Sequence, residues 1–252
     1  MKLHELLKIV QDTAINISVP IPMICGGVAR DKYIGNLNKI SDLDLTNGEK
    51  NIQYLSEEVA NNLRKKYNLT KKNMEDGHSS IYIGNLKLDF SSNFILPNID
   101  PILNNLGMNK PTNMQKEIFS RDFTCNALLL SLDLNTITDP TKNGFKDIKD
   151  KKKRTCLKPE ITLISNKSRV IRSIYLAAKL DFDIDNSIIN FVRKNPESIN
   201  ISTKKNLNDK LNEAFKWDSD KASYFLTKMD LWDKIPINKF IYPFYLKAIS
   251  KK

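Results

Sequence analysis

The segment from Met23 to Asn47 constrains the fold more than any other part of the chain. A short apolar strand over Ile21–Cys25 leads into the glycine pair Gly26-Gly27, and a brief helix is predicted over Arg30–Ile34. The segment ends in Asp42-Leu43-Asp44, next to a second apolar strand. A strand, a glycine turn, a helix start and two carboxylates therefore follow one another along a short stretch of chain.

The glycine pair predicts a site for an anion. Glycine has no Cβ, so Gly26 and Gly27 tolerate positive φ and let backbone N–H groups approach a ligand closely. A helix start directs several unpaired N–H groups the same way, which suits a phosphate. Arg30 adds a guanidinium that can bind phosphate oxygens in a forked geometry.

Asp42 and Asp44 predict a metal site. They are two residues apart, so on a strand both carboxylates project from the same face. Adjacent carboxylates repel each other unless a cation lies between them, and Mg²⁺ prefers such oxygen ligands. A phosphate site beside a carboxylate pair indicates metal-assisted phosphoryl or nucleotidyl transfer.

Together these residues form G-G-V-A-R-D-x-x-x-G followed by D-x-D. The pattern resembles the nucleotidyltransferase head of the tRNA CCA-adding enzyme and bacterial-type poly(A) polymerase family. The resemblance implies an α+β fold, with a small mixed or antiparallel sheet and flanking helices followed by an all-α neck and body. It also implies NTP substrates, CTP and ATP, and two Mg²⁺ ions. The matching positions are Gly26, Gly27, Arg30, Asp31, Gly35, Asp42 and Asp44.

A β-hairpin is predicted over residues 79–90. Strands at 79–83 and 86–90 flank Gly84-Asn85, a typical two-residue hairpin turn. Polar and apolar residues alternate in the second strand, so one of its faces is expected to be exposed to solvent. Family members carry an acidic residue in this strand, and the resemblance makes Asp89 a third catalytic carboxylate; the alternative is an ordinary solvent-facing residue.

The segment Ser120–Leu128 resembles the family's R-R-D-F-T-x-N-A-L, with Ser120 in place of the first arginine. In the family this segment contacts the sugar and phosphates of the nucleotide. Arg121 can reach phosphate. Asp122 and Asn126, predicted on one helical face, can hydrogen-bond ribose hydroxyls. The alternative is that Asp122 only caps a helix.

A helix is predicted from Ser168, with Arg169 and Arg172 together on the face opposite the apolar one. It resembles the family's neck helix, in which an aspartate and the first arginine read the base edge; Asn166 and Arg169 occupy those positions. The resemblance makes Arg172 a further candidate nucleotide ligand. Ser165-Asn166 replaces the family's Glu-Asp pair. Asparagine offers a donor as well as an acceptor, so nucleotide choice can be relaxed or shifted. The predicted buried residues are Val170, Ile171, Ile174, Ala177 and Ala178.

The segment 138–148 resembles the family's connector between head and neck, which predicts a head domain over residues 1–150 and a helical neck with a reduced body over 151–252. Four basic residues follow the connector. Like charges this close are expected to stay solvated. They can bind an RNA backbone or only solubilise a linker. These residues are Lys151, Lys152, Lys153 and Arg154.

The remaining elements follow from periodicity and composition. Helices are predicted over residues 2–12, 51–66, 185–194, 203–216, 219–228 and 236–249, and a proline-containing loop or flap over 95–116. The aromatic residues of the C-terminal helices are interpreted as core in preference to base-stacking platforms. They are Phe191, Phe215, Trp217, Phe225, Trp232, Phe240, Tyr242, Phe244 and Tyr245.

Charge and composition limit the functional classes. The net charge of +11 indicates a polyanionic partner, and RNA is the first candidate. The chain lacks an apolar run long enough for a membrane helix, so a cytoplasmic protein without a membrane partner is expected. The chain has three cysteines in unrelated sequence contexts and only two histidines, so a zinc site is not expected. The cysteines are expected to be buried.

The combined prediction is an enzyme that adds nucleotides from NTPs to an RNA 3′ end, most simply that of a tRNA, by CCA addition or repair. Poly(A)-type tailing is the alternative within this class. The alternative of another class is a degenerate, non-catalytic RNA-binding module, favoured by Phe94, Ser120, Ser165 and Asn166. The short C-terminal region suggests a partner subunit or a homo-oligomer.

Overall fold

A computed structural model describes residues 2–37, 40–75, 77–91, 95–199 and 204–250, without the side chains of residues 204 and 206. The chain divides into two compact units. The first comprises Met1–Arg121 and Cys125–Phe145, and the second comprises Asp122–Thr124 and Lys146–Lys252. Residue 94, one of the predicted departures from the family, lies outside the described residues.

The first unit is built on a seven-stranded mixed sheet of order β3-β4-β5-β2-β1-β6-β7. Strands β2 and β5 are parallel, and the other neighbouring pairs are antiparallel. This arrangement confirms the predicted mixed sheet. The strands are β1 (Met23–Cys25), β2 (Asp42–Thr46), β3 (Thr70–Asn73), β4 (Ser79–Ile83), β5 (Leu86–Phe90), β6 (Leu129–Leu130) and β7 (Ile137–Thr138).

The helices of the first unit cover an apolar core. In α1 and α3, apolar residues recur every three or four positions, and Leu7, Val10, Leu55 and Val59 are all buried. Both helices were predicted, within a few residues at each end. The helices are α1 (Leu3–Asn16), α2 (Gly27–Ile34), α3 (Ile52–Arg64), α4 (Ile99–Asn105) and α5 (Asn113–Phe119), with a 3-10 turn at Thr124–Asn126.

The predicted hairpin is confirmed in β4 and β5. Their turn places Gly84 at φ +56°, a conformation that suits glycine. Leu88 and Phe90 are fully buried, while Lys87 and Asp89, which alternate with them, are half-buried on the other face. The parallel pairing of β5 with β2 then places Asp89 beside Asp44.

The predicted loop over 95–116 is wrong, because α4 and the start of α5 lie there. Pro101 is the third residue of α4, within the first turn, where proline removes no intrahelical hydrogen bond. Thr112 begins α5 with a capping box, in which its hydroxyl accepts from the Gln115 N–H and the Gln115 side chain accepts from the Thr112 N–H. The prolines precede or open these helices and do not break them.

The second unit is mainly helical, with a short parallel ladder between β8 (Lys152–Lys153) and β9 (Asp183–Ile184). This ladder was not predicted, since two-residue strands carry no periodic signal. Among the described helices, none has the length and apolarity needed to cross a membrane. The helices are α6 (Gly144–Lys149), which starts at the boundary between the units, α7 (Pro159–Ser165), α8 (Ser168–Leu180), α9 (Asn186–Lys194), α10 (Lys204–Trp217), α11 (Ser219–Lys228) and α12 (Tyr242–Ile249).

Helix α8 starts at Ser168 as predicted, and all five residues of its predicted apolar face are buried. The predicted exposure of Arg169 beside Arg172 is wrong. Arg169 is 7% exposed, and its Nη1 donates to the Thr162 carbonyl and to Ser165 Oγ at 3.0 and 3.1 Å. These acceptors in α7 satisfy the buried guanidinium, so a polar residue occupies the packed side of α8.

The interpretation of the C-terminal aromatic residues as core is correct for only some of them. Phe215, Phe225 and Trp232 are nearly completely buried. Trp217 and Tyr242 are 57% and 51% exposed. Helical spacing therefore identified aromatic residues on helices without distinguishing the packed ones from those that face solvent.

Two of the three cysteines are buried as expected, and Cys156 is intermediate. Burial raises the pKa of the Cys25 thiol. A thiol that remains protonated is a poor nucleophile. Cys25 therefore acts as a small core residue of β1.

Candidate active site

Two carboxylates of β2 define the candidate site. Asp42 and Asp44 alternate with Leu43 and Leu45, which are fully buried, so both carboxylates lie on the opposite face of the strand. Asp44 is directly opposite Asp89 in the parallel pairing of β2 and β5. The structure thus brings the predicted pair together on one face and places Asp89 on the neighbouring strand.

The electrostatics of this face favour a bound cation. Burial raises the pKa of Asp44; the Arg121 guanidinium partly offsets this, and the carboxylates of Asp42 and Asp89 raise the pKa further. Burial also raises the pKa of Asp42, with Lys87 opposing and Asp89 reinforcing the shift. Burial is thus the larger cause of both shifts and repulsion among the carboxylates the smaller, and a bound divalent cation would stabilise the ionised forms against both.

Asp89 is held by two neighbours on the same face of the sheet. Ser80 Oγ donates to Asp89 Oδ1 at 2.7 Å, and Lys87 Nζ lies 2.8 Å from Asp89 Oδ2. Lys87 Nζ is also 3.9 Å from Asp42 Oδ1. Sequence reasoning missed Lys87 and Ser80. The two-residue spacing of Lys87 and Asp89 was the available signal, because it places both side chains on one face.

The donor set of Asp42 and Asp44 fits a hard divalent cation. Both supply carboxylate oxygens, the ligands that such a cation prefers, and burial is the main cause of their raised pKa values. Among the described side chains, no three Asp, Glu, His or Cys groups are arranged to hold a metal ion. The prediction that Asp89 supplies a third carboxylate therefore stays a prediction.

Gly26 lies directly against the carboxylate pair. It precedes α2 with φ +74°, and a Cβ at this position would lie 2.5 Å from Asp44 Oδ2. Glycine suits this position because it adopts positive φ readily and has no Cβ that would clash with the Asp44 carboxylate. Gly27 does not have positive φ and is the first residue of α2. The first N–H groups of α2 lack intrahelical acceptors, as at any helix start, and they begin beside Asp44.

Arg30, the predicted phosphate ligand, is 4% exposed and bonded within the first unit. Its Nη1 donates to Asn126 Oδ1 at 2.7 Å, and its Nε donates to Asp31 Oδ1 at 2.8 Å. The same contact engages Asn126, which was predicted to bind ribose. The structure thus joins α2 to the turn at 124–126 through these two side chains, and their roles toward a nucleotide stay predictions.

Arg121 also has a partner inside the first unit. Its Nη2 lies 2.9 Å from Glu117 Oε1, and Glu117 accepts a further hydrogen bond from Thr46 Oγ1 on β2. Glu117 is 3% exposed. No sequence pattern indicated Glu117, since a buried acid is recognised only through its partners. Arg121 also lowers the pKa of Asp44, and its contact with phosphate stays a prediction.

The predicted helical face shared by Asp122 and Asn126 is wrong. Phe123 forms an isolated β-bridge with Thr155, and only a short 3-10 turn follows over 124–126. Asp122 Oδ1 accepts from the Phe123 N–H at 2.7 Å, so Asp122 does not cap a helix. The bridge requires an extended backbone at Phe123, which excludes a continuous helix from 122 to 126.

In the second unit, Asp122 is paired with Arg172. Arg172 Nε donates to Asp122 Oδ2 at 2.5 Å, and the Arg172 side chain remains 46% exposed. Burial raises the pKa of Asp122, but Arg172, Arg169 and Lys153 lower it more strongly, to about 2. Two of the predicted nucleotide ligands are thus coupled to each other, and Asp122 is held in the ionised form.

Asn166, the predicted base reader, is exposed and ends α7. Its Oδ1 accepts from the Ser168 N–H at 3.0 Å and from Ser168 Oγ at 2.6 Å. Its acceptor atom therefore supports the start of α8. The amide Nδ2 is the atom left to contact a ligand, and it can only donate.

The basic run after the connector is largely neutralised by carboxylates. Lys151 Nζ lies 2.7 Å from Asp181 Oδ2, and Lys152 Nζ lies 3.2 Å from Asp185 Oδ2. Arg154 Nη2 lies 3.4 Å from Asp147 Oδ1. The expectation that the whole run stays solvated is wrong, because Lys153 is fully buried with its Nζ 4.5 Å from the centre of the Phe123 ring. The alternating directions of an extended strand separate Lys153 from its neighbours.

Comparison with known proteins places this geometry in context. Residues 23–154 match the family model described as the poly(A) polymerase head domain. The A-adding tRNA nucleotidyltransferase of Aquifex aeolicus is 28% identical over 65% of this chain and 19% of its own length.

Solved structures resemble most of the chain. A CCA-adding enzyme solved with CTP has a TM-score of 0.71 at 19% identity, covering 91% of this chain and 50% of that one. The Thermotoga maritima CCA-adding enzyme complexed with tRNA has a TM-score of 0.69 at 18% identity, covering 93% and 53%. This chain spans about a fifth of the curated relative and about half of each solved chain.

Proposed function

The chain belongs to the family of poly(A) polymerase head domains, and from this we propose that it is a template-independent RNA nucleotidyltransferase. It adds nucleotides from NTPs to an RNA 3′ end, with a tRNA as the substrate, in CCA addition or repair. The proposal includes a head domain over residues 1–150 and a helical neck and reduced body over 151–252. The relatives support this assignment, since their names describe tRNA nucleotidyl addition and complexes with CTP and tRNA.

One observation carries the proposal: the proximity of Gly26 to Asp44. A Cβ added at Gly26 would lie 2.5 Å from Asp44 Oδ2, and this proximity of the start of α2 to the carboxylate pair supports a single site. A triphosphate bound by the first N–H groups of α2 would have its phosphates next to Asp42 and Asp44. Nucleotidyl transfer requires this combination of a phosphate site and a cation site.

The chain's own residues would bind and orient the reactants. Asp42 and Asp44 would hold Mg²⁺, and the family analogy implies two ions. Bound Mg²⁺ lowers the pKa of an attacking hydroxyl and neutralises charge on the phosphates. Lys87 screens Asp42 and Asp89 from each other. Asp89 is proposed as the third carboxylate of the site. No step needs a covalent protein intermediate, because the RNA 3′-hydroxyl is itself the nucleophile.

Several residues are proposed to contact the nucleotide on the basis of family resemblance. In the first unit, Arg30 and Arg121 would have to exchange an internal carboxylate or amide partner for phosphate. In the second unit, Arg172 is paired with Asp122, and its side chain is 46% exposed. The remaining residues of this set are Asp122, Asn126, Asn166 and Arg169.

The test is direct identification of the RNA product. tRNA transcripts that lack the terminal CCA are incubated with the chain, Mg²⁺ and each NTP, and the 3′ ends are read by mass spectrometry. Addition of one or more nucleotides at the 3′ end is expected. If no transcript is extended by any of the four NTPs, and the RNA is nevertheless bound, the non-catalytic module replaces the enzyme.

A further inference from the structure

The solvent face of α8 carries a stripe of basic and aromatic side chains. Arg172, Tyr175 and Lys179 follow one another at helical spacing of three and four residues, and all are at least partly exposed. Trp217, the last residue of α10, is 57% exposed. All of these residues belong to the second unit.

Lysine side chains connect the two aromatic rings. Lys179 Nζ lies 5.9 Å from the centre of the Tyr175 ring and 5.4 Å from that of Trp217. Lys210 Nζ lies 5.0 Å from the Tyr175 ring. Such contacts are weak at exposed positions, so each ammonium can leave the ring and bind an anion while the rings remain in place.

The charge balance of this stripe is positive. Lys210 is paired with Glu213 at 3.0 Å, and Arg172 with Asp122. Lys179 forms no ion pair with any side chain in the described part of the chain. A cation that is near two exposed rings and lacks a carboxylate partner suits a ligand that offers both phosphate and a flat base.

We propose that Tyr175, Lys179 and Trp217 form a surface on which unpaired bases of an RNA strand stack, with Lys179 binding a phosphate. Single-stranded nucleic acid is bound by this combination of aromatic faces and cations. The inference rests on the proposed function only in taking RNA as the polymer. A buried structural role does not account for Trp217, because this residue is 57% exposed. The chain's other tryptophan, Trp232, is 4% exposed and has such a role.

Tryptophan fluorescence gives a direct readout. Trp217 is the exposed member of the chain's two tryptophans, so an unlabelled single-stranded RNA decamer is expected to quench the emission saturably. Trp217→Phe keeps a ring for stacking and removes the reporter: quenching should disappear, while affinity for a fluorescein-labelled decamer, measured by anisotropy, stays within about threefold.

Affinity variants separate stacking from charge. Trp217→Ala and Tyr175→Leu should each weaken decamer binding by about 5- to 150-fold, the usual cost of losing one stacked base. Lys179→Met keeps the length of the side chain and should reduce the slope of log K against log salt by about 0.7, the value for one phosphate contact on a single strand. Thermal melting of each variant checks that the fold is intact.

Another aromatic–lysine pair of the second unit provides the matched control. Tyr224 is 48% exposed on α11, and Lys228 Nζ lies 4.8 Å from its ring. The Tyr224→Leu/Lys228→Met variant should bind the decamer as the wild type does. An equal loss in this variant, or binding of polyglutamate as tight as that of RNA, would overturn the inference, because either result would reduce the surface to general positive charge.

Failure of this inference is distinguishable from failure of the proposed function. If the wild type extends tRNA and the Trp217→Ala/Lys179→Met variant does so with unchanged KM for the RNA, the stacking surface is wrong and the enzyme assignment stands. If quenching by RNA is present and extension is absent in every protein, the surface stands and the enzyme assignment is wrong.

Discussion

At the scale of single residues, Gly26 is restricted in two ways. Its φ of +74° excludes most side chains on conformational grounds, and the 2.5 Å from a Cβ to Asp44 Oδ2 excludes them on steric grounds. A side chain here would displace the carboxylate that is proposed to hold the metal. Gly26 is therefore expected to matter for the position of the Asp44 carboxylate as well as for the backbone turn.

We expect Gly26→Ala to lower nucleotide addition by at least about 100-fold, because displacement of a catalytic group by about 1 Å has a cost of this size. Gly107→Ala is the matched control. Gly107 has φ +83°, with no atom within 4 Å of its Cβ position. Gly107→Ala should lose about 1–2 kcal/mol of stability in urea unfolding, and Gly26→Ala at least as much, because its Cβ also meets Asp44 Oδ2. Equal activity of the two would show that Gly26 matters only for the backbone.

Asn166 is the residue on which nucleotide choice is expected to depend. With its Oδ1 bonded to Ser168, Asn166 has its amide Nδ2 left for a base, and this group can donate to a carbonyl but cannot accept from the exocyclic amine of adenine. Asn166→Asp should therefore shift selection toward ATP by about 5- to 150-fold relative to UTP. Single-nucleotide addition with each of the four NTPs measures this shift. A strict CTP and ATP preference in the wild type would show that Asn166 does not alter selection.

Part of the site was predictable from local spacing alone. Asp42 and Asp44 lie on one face because strand geometry requires it. The partners of the other predicted residues were not predictable, since Arg30 meets Asn126 and Arg121 meets Glu117 only through the tertiary fold. Opposite charges or amides that are distant in sequence leave no pattern from which their contact can be inferred.

At the scale of elements, periodicity identified the long helices and the hairpin. Apolar residues repeat clearly in α3 and α8, and the Gly84-Asn85 turn marks the hairpin. The same reasoning failed at 95–116, where prolines were read as breakers although one lies in a first helical turn. It also predicted none of the strands β6 to β9, because each has only two residues and is too short to show an alternating pattern.

The pairing of Asp122 with Arg172 joins the segment 122–124 to α8, and its stabilising effect should depend on pH. The pKa of Asp122 is lowered from 3.8 to about 2 in the folded protein. The stabilisation is therefore complete above pH 4 and is lost as the pH falls toward 2. Asp122→Asn should be about 1–2 kcal/mol less stable than wild type at pH 7, and urea unfolding should show the difference shrinking at pH 3.

Asp181→Asn is the control for this prediction. Asp181 also has a pKa lowered to about 2, through Lys151 and Lys221, but it is exposed to solvent. Screening by water makes such surface pairs contribute little. The variant should unfold at the wild-type urea concentration at pH 7. A larger loss for Asp181→Asn than for Asp122→Asn would contradict the assignment of the stabilisation to the buried carboxylate.

At the scale of the whole molecule, net charge is a poor guide to where RNA binds. The +11 charge indicated a polyanionic partner, and the basic run at 151–154 was the obvious location. Three of its four residues have carboxylates within 4 Å, and the fourth is buried. The exposed rings and the lysine of the α8 stripe give a more specific location, because they combine charge with surfaces for stacking.

The central claim is that Asp42 and Asp44 form the nucleotidyl-transfer site of this chain. The most direct measurement is the rate of labelled CTP incorporation into tRNA lacking CCA, for wild type, Asp42→Asn and Asp44→Asn, each with Mg²⁺ and with EDTA. The account predicts incorporation by the wild type with Mg²⁺, its loss in EDTA, and rates lower by about 10²- to 10⁴-fold in both variants, which retain RNA binding. Wild-type rates in Asp42→Asn or Asp44→Asn would contradict it.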